Sequence, residues 1–405
     1  MHLRTLPDAH LDAFTERINY AFRPTDGPSW DRDEEDHPDL FTPLGFYETP
    51  PGETPEVSDL TAVCGTYDFT VRVRGDWHRM PGLAAVASPP ETRRRGVVAR
   101  MLDALLERHR DDGVSLSTLW PFEYPFYRRF GWATANNYAR LAAPPEQLSA
   151  VASDPAGSFR RLRADEDIDA MRAVHESWAT ESLAVKRTEG WWRHAVFGGD
   201  EPDSFVYGWE DDAGCLRGYV VYAFEEREDG DGRRLNVREL AAADGEAEAH
   251  LHRFCRDHDS QVEEVRFVRL PEWVRPIDAY PDPRAATLEI RPGPMVRIVD
   301  VASALTDVSY DAEGSVTLGV RDDRCEWNDA AFRLDVADGD ATCRRVEGGA
   351  ETDGEVEIGA LSQLLVGART VEEAVRAGDA SVEGEAAQTL ERLFPRERTF
   401  LRERF

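Results

Sequence analysis

Apolar residues recur at three- and four-residue spacing from Asp8 to Phe22, where Leu11, Phe14, Ile18 and Phe22 share one face of an amphipathic helix. The pattern then dissolves. Residues 23–57 are rich in Pro, Asp and Glu and read as a loop. Its aromatics Trp30, Phe41, Phe46 and Tyr47, with Phe22 just before it, either pack or line a substrate mouth, and Phe22 and Trp30 are taken as candidate substrate contacts. Strand-like runs follow at Leu60–Cys64, Tyr67–Val73 and Leu83–Ser88, then a helix from about Gly96 to Arg110 and a strand at Val114–Leu119. The order is β-β-β-α-β. Pro144-Pro145 and Asp154-Pro155-Ala156-Gly157 close this unit.

From Phe159 the pattern begins again. A helix at Ile168–Trp178 precedes strands at Phe205–Trp209, Gly218–Glu225 and Leu235–Ala241, a helix at Glu246–Asp257 and a strand at Val265–Arg269. A third region has strands at Val316–Val320 and Ala331–Asp335, then helices at Ile358–Val366, Thr370–Ala377 and Glu383–Leu393. The fold class is therefore α+β: two related mixed units over residues 1–150 and 158–290, and a separate α+β domain over 293–405.

At 405 residues the chain is too long for one ordinary core. Its 41% hydrophobic residues and ten tryptophans mark it as folded. The formal net charge is −30, and Lys186 is the only lysine. An acidic, lysine-poor surface of this kind reads as halophilic adaptation of haloarchaeal type, and it excludes nucleic acid as a partner. The five cysteines are scattered and contain no CxxC pair, so neither a disulfide framework nor a metal site is expected. The N-terminus lacks a signal core and no apolar stretch reaches bilayer length, which predicts a cytoplasmic protein without membrane partners.

The chemistry concentrates where Ala85-Val86-Ala87-Ser88 runs through Pro89-Pro90-Glu91-Thr92 into Arg93-Arg94-Arg95-Gly96, which opens a helix. Helix N-terminal amides point outward unsatisfied, the dipole adds positive potential, and glycine lets a pyrophosphate approach the main chain. Arginines add charge-assisted bonds. This strand, turn and helix resemble the acetyl-CoA motif of the GNAT superfamily, R/Q-x-x-G-x-G/A, with Arg93, Gly96 and Val98 at its marked positions and Val98 departing from the small final residue. Tyr127 in Tyr127-Arg128-Arg129-Phe130-Gly131-Trp132 sits where such enzymes place a tyrosine facing the departing sulfur, and Tyr124 competes with it for that role.

The whole chain resembles the Eis (enhanced intracellular survival) family, two GNAT units followed by a sterol-carrier-protein-like domain. That resemblance implies a donor, acetyl-CoA, running past Val86, Ala87, Ser88, Arg93, Arg94, Arg95, Gly96, Val97, Val98, Ala99, Phe122 and Glu123. It also implies Tyr127 as acid, the carboxylate of Phe405 as base, a primary amine on a small molecule or peptide as acceptor, and a homo-oligomer, commonly a hexamer. Arg404 departs from the acidic residue that would suit a cationic substrate.

In the second unit, Ala242-Ala243-Asp244-Gly245-Glu246 replaces the phosphate-binding arginines with acids, which predicts a non-catalytic unit and one donor per chain. His250 and His252, two apart on a helix, point to different faces and read as surface residues rather than a metal pair. The competing function is an apolar-ligand-binding module with vestigial GNAT units.

Overall fold

The computed structural model describes residues 1–27, 40–150, 155–198, 204–227, 232–274, 276–346 and 351–405. In chain order the first region contains β1 (His2–Thr5), α1 (Leu11–Phe22), β2 (Phe41–Tyr47), β3 (Leu60–Tyr67), β4 (Thr70–Val73), β5 (Asp76–Arg79), β6 (Gly82–Ala87), α2 (Val97–Asp111), β7 (Leu116–Leu119), α3 (Tyr124–Arg128) and β8 (Ala133–Thr134). The second contains β9 (Asn137–Ala143), β10 (Ser158–Arg161), α4 (Ala164–Trp178), the single turn α5 (Glu189–Trp191), β11 (Phe205–Glu210), β12 (Leu216–Glu226), β13 (Arg233–Ala242), α6 (Gly245–Arg256), β14 (Glu264–Pro271) and β15 (Thr287–Pro292). The third contains β16 (Met295–Ile298), α7 (Val301–Asp307), β17 (Gly314–Arg321), β18 (Ala330–Ala337), β19 (Asp340–Val346), β20 (Gly354–Glu357), α8 (Ile358–Val366), α9 (Val371–Ala377), β21 (Ala380–Val382) and α10 (Gly384–Leu393).

These strands form a sheet of order β1-β2-β3-β6-β7-β16-β8, a second of order β10-β11-β12-β13-β14-β9-β15, a third of order β19-β18-β17-β20-β21 and the β4–β5 ribbon. The first two share one topology. In each, an antiparallel run (β1-β2-β3-β6; β10-β11-β12-β13) is followed by a helix that crosses over to a parallel neighbour, β6 to β7 through α2 and β13 to β14 through α6. Such a crossover needs a connection of helix length.

Backbone proximity divides the chain into two compact units, residues 1–136 with 294–405, and residues 137–293. Two strands therefore lie differently from the division drawn on sequence. Asn137–Ala143, counted with the first unit, pairs with β14 and β15 in the second sheet. Met295–Ile298, counted with the third region, pairs with β7 and β8 in the first.

The reading of 23–57 as loop is corrected at β2. Its Pro43 and Gly45 look like breakers, but Phe41, Leu44, Phe46 and Tyr47 are buried and the strand pairs with both β1 and β3. The glycines are where aromatic rings need room: a Cβ on Gly65 would collide with the Phe41 ring, and one on Gly45 with Tyr47. The run at Tyr67–Val73 is likewise two pieces. Tyr67 ends β3, and β4 turns into β5 through Arg74 (φ 49°) and Gly75 (φ 90°), left-handed positions suited to a tight hairpin.

The first core is built on α2. Val97, Met101, Leu102, Leu105 and Leu106 form its buried face and pack on Leu44, Phe46, Ala62, Cys64, Leu83 and Leu119 from the sheet. In the second unit Ala247, Leu251 and Cys255 of α6 pack on Val220, Leu235 and Val237. Among the described residues no helix is long and apolar enough to cross a membrane.

Candidate functional site

Strand β6 carries the first feature of the site. Ala85 adopts φ 53°, a left-handed conformation that costs a non-glycine residue energy, and the register against β3 slips between Val63 and Gly65. On its other edge β6 pairs with β7 only at Gly82↔Thr118 and Leu83↔Leu119. The two parallel strands then part, which leaves the β7-facing edge of Ala84–Ala87 without a ladder among the described residues. An extended ligand bearing amides can supply such a missing edge. Val86 and Ser88 are partly exposed there, whereas Ala87 is buried.

The second feature is the start of α2. Its N-cap is Gly96 at φ 71°, with no side chain capping the helix, and the first helical bond runs from the Arg100 amide to the Gly96 carbonyl. The amides of 97–99 thus lack intrahelical acceptors. Arg94 also takes a left-handed φ of 58°, so positive φ occurs twice, at Arg94 and Gly96, in the turn that opens the helix. A Cβ on Gly96 would meet nothing within 4 Å, which shows open space in front of the main chain. Arg93, Arg94 and Arg95 are exposed, and among the described residues none is ion-paired, in a protein of net charge −30. Arg93 lies over the Tyr20 ring, 5.1 Å from its centroid. Val97 points into the core, so only its amide faces outward, while Val98 and Ala99 are half-buried against the core's edge.

The third feature is α3. Tyr127 is 3% exposed, with its ring edge-on to Phe122 (5.5 Å), Phe126 (5.1 Å) and Trp132 (6.2 Å). Its hydroxyl makes no hydrogen bond to any described residue. Tyr124 differs: its hydroxyl is 2.7 Å from the Thr134 hydroxyl and is already engaged. Burial, with Cys64 adding to it, pushes the Tyr127 phenol above its ordinary range, so the ring keeps its proton through neutral pH. Phe122 (62% exposed) and Glu123 are on the surface beside it.

The fourth is the C-terminal segment, which docks in the same unit. The Thr399 hydroxyl donates to the Ala135 carbonyl (2.9 Å), the Leu401 amide to the Asn136 side-chain oxygen (3.0 Å) and the Trp120 indole to the Glu403 carbonyl (2.7 Å). Phe400, Leu401 and Glu403 are buried. The Phe405 ring lies edge-on to Phe69 (4.9 Å) and Tyr67 (5.6 Å), over Gly82, where a Cβ would come within 2.5 Å of it. This places the last residue beside the point where β6 and β7 begin to part. Arg404 is exposed.

Sequence reasoning missed Trp120 and Asn136, because nothing in a Trp-Pro or Asn-Asn dipeptide announces a partner some 265 or more residues away. Of the two proposed substrate contacts, Phe22 is 51% exposed at the end of α1, and Trp30 lies outside the described residues. Phe41, Phe46 and Tyr47 are core.

The second unit begins its crossover helix differently. Asp244 caps α6 by accepting from the Ala247 amide (2.9 Å), and it is ion-paired with Arg217. The Ala247 bond first, and the guanidinium after it, hold this carboxyl below its usual range. On the strand leading into that helix, Glu239 takes both Arg187 (2.8 Å) and the Tyr219 hydroxyl (2.6 Å). The histidines of α6 are corrected: His250 and His252 are 1% and 5% exposed, the first stacked on Trp209 at 4.2 Å and the second tilted against Phe267 at 5.4 Å. The helix is buried over more than one face, so residues two apart are both enclosed. Among the described residues no cluster of three or more His, Cys, Asp or Glu could hold a metal.

Comparisons with known proteins agree with this architecture. Models of the GNAT acetyltransferase domain match residues 2–135 and 183–298, and a model of the sterol carrier protein domain matches residues 301–402. The chain is similar to the uncharacterized N-acetyltransferase SCO2625 of Streptomyces coelicolor, 30% identical over 350 residues that cover 80% of this chain and 82% of the relative. It is 28% identical to N-acetyltransferase Eis of Mycobacterium tuberculosis over 302 residues, 71% of this chain and 70% of that one. A solved probable N-acyltransferase from Enterococcus faecalis superposes with a TM-score of 0.87 at 22% identity, covering 100% and 99% of the two chains. Eis1 from Mycobacterium abscessus superposes with a TM-score of 0.76 at 23% identity, again covering 100% and 99%. These relatives from Streptomyces and Mycobacterium give no support to a haloarchaeal origin for the acidic composition.

Proposed function

The chain belongs to the GNAT N-acetyltransferases and is an acyltransferase, and on that premise we propose that its first unit transfers acetyl from acetyl-CoA to a primary amine of a small molecule or a peptide lysine. The observation that carries this reading is the start of α2, an uncapped helix N-terminus with an open glycine and three exposed arginines that are ion-paired with none of the described residues. When bound there, acetyl-CoA supplies a thioester carbonyl activated towards amines.

The chain's own groups divide the remaining work. The amides of 97–99 and the guanidiniums of Arg93, Arg94 and Arg95 bind the pyrophosphate; the unpaired edge of Ala84–Ala87 aligns the pantetheine arm, with Val86, Ser88, Phe122 and Glu123 along its course. Phe22 and Trp30 stay as proposed contacts to the acceptor. The amine nitrogen attacks the thioester carbonyl carbon and the C–S bond breaks. Tyr127 gives its hydroxyl proton to the departing sulfur. The carboxylate at Phe405, the base that the resemblance to the Eis family implies, takes the proton lost by the amine, so that the products are an amide and a free thiol. Tyr124 is the weaker candidate because Thr134 occupies its hydroxyl.

Turnover of the full chain with a panel of amines tests this. Tyr127→Phe keeps the ring and removes the donor, so kcat falls roughly 10²-fold with acetyl-CoA affinity near normal. Adding one glycine after Phe405 moves the carboxylate and costs on the order of 10²-fold, whereas Phe405→Ala, which retains it, costs less. Full activity in both Tyr127→Phe and the extended chain removes the proposed acid and base together.

A further inference from the structure

Arg297 has no part in the reading above, yet it is completely enclosed. Its side chain is 0% exposed and that of its partner Asp322 is 1%, at 2.6 Å. The nitrogen that meets Asp322 also lies 3.1 Å from the Cys325 sulfur. The other terminal nitrogen donates to the Phe130 carbonyl, and the guanidinium lies over the Trp132 ring, 5.6 Å from its centroid. Gly131, between those two residues, has φ 82°, and a Cβ on it would overlap the guanidinium. The glycine of this turn is thus required twice, by conformation and by arginine.

Both residues that Arg297 grips bear on Tyr127. The Phe130 amide donates to the Tyr127 carbonyl (2.9 Å), and the Trp132 ring stands edge-on to the Tyr127 ring at 6.2 Å. Arg297 in turn is fixed from the β17–β18 connection of the sterol-carrier-like domain. Asn328 donates to the Asp322 carboxylate (3.1 Å) as well as to the Val299 carbonyl (3.0 Å). Two residues beyond Asp322, Arg324 pairs with Asp103 on α2 and covers the Phe130 ring at 4.8 Å. One loop therefore grips the helix whose N-terminus is the proposed pyrophosphate site and the turn that follows the proposed acid.

A buried ion pair is a poor device for stability alone, since well-packed apolar residues often do as well or better. A planar guanidinium fork, however, fixes direction as well as distance. We propose that Arg297, oriented by Asp322, is a positioning residue that sets the Tyr127 hydroxyl for proton delivery, so that the β17–β18 loop of the sterol-carrier-like domain is part of the first unit's catalytic apparatus. This rests on the assignment of Tyr127 as the acid.

The test is a double-mutant cycle in the full chain. Arg297→Lys keeps a cation opposite Asp322 but cannot hold Asp322 and the Phe130 carbonyl as a fork. It lowers kcat roughly 10-fold or more, the scale of a small misplacement, with the KM for acetyl-CoA within about twofold of wild type. In a Tyr127→Phe background it costs nothing further, because the group it positions has already lost its function. A purely structural role would lower kcat by the same factor in both backgrounds, and that result overturns the proposal, as does an unchanged kcat in Arg297→Lys. If Arg297→Lys does not melt cooperatively, Arg324→Gln takes its place at the partly exposed end of the same clamp, with the same dependence on Tyr127 expected and additivity again the contradicting result. A Tyr127→Phe protein with undiminished kcat overturns the acid assignment, and the proposal with it. That arm is read before Arg297 is touched.

Discussion

The helices Val97–Asp111 and Gly245–Arg256 follow corresponding strands in two sheets of one topology, and each crosses over to a parallel neighbour. Their first turns are opposites. One opens on a left-handed glycine with bare amides and three exposed arginines that are ion-paired with none of the described residues; the other is closed by Asp244, whose carboxylate takes the Ala247 amide and an arginine as well. A pyrophosphate at the second helix would have to displace a carboxylate that already satisfies the helix end and would meet its charge. The lesson is that topology supplies a helix N-terminus, and the capping residue decides whether an anion can use it.

Closing the open helix has the largest expected effect. Gly96→Glu puts a side chain at φ 71° and a negative charge where the pyrophosphate is proposed to lie, so acetyl-CoA affinity falls by about 10²-fold or more, with the melting temperature shifted by only a few degrees. Equilibrium binding of acetyl-CoA measures this, and unchanged affinity would detach the donor from α2.

A smaller effect sharpens the other side. Asp244→Ala uncaps α6 and lowers stability by about 1 kcal/mol at neutral pH without creating a second donor site, since no arginine cluster accompanies it. Because the folded-state carboxyl of Asp244 is held below its usual range, its contribution is present above the unfolded value of about 4 and is lost as pH falls through the lower folded value. Thermal melts of the wild type and Asp244→Ala therefore converge in acid. A gap that widens as pH falls contradicts this assignment of the cap.

Most of this was legible in the sequence because it is local. The helices at 97–111, 358–366 and 384–393 and the strands around 316, 331 and 235 show their own periodicity, and the Arg-Arg-Arg-Gly turn shows its chemistry through residue type alone. What escaped was non-local or depended on conformation rather than identity. Strand β2 was hidden by Pro43 and Gly45, whose local meaning is overridden by neighbours on both edges. The exchange of Asn137–Ala143 and Met295–Ile298 between regions depends on pairing across long sequence separations. The bulge at Ala85 is carried by a residue that does not advertise a positive φ, and His250 gives no sign that it will stack on Trp209. Arg297 looks like any charged residue in a short strand, and only its enclosure reveals that it grips the Tyr127 turn.

The central claim is that the first helix start, and not the second, takes the donor. Calorimetric titration of the full chain with acetyl-CoA tests it most directly, performed on the wild type, on Gly96→Glu and on Asp244→Ala. One site per chain is expected in the wild type, the same site at unchanged affinity in Asp244→Ala, and its loss in Gly96→Glu. Two sites per chain, or a site that survives Gly96→Glu and disappears in Asp244→Ala, would contradict it.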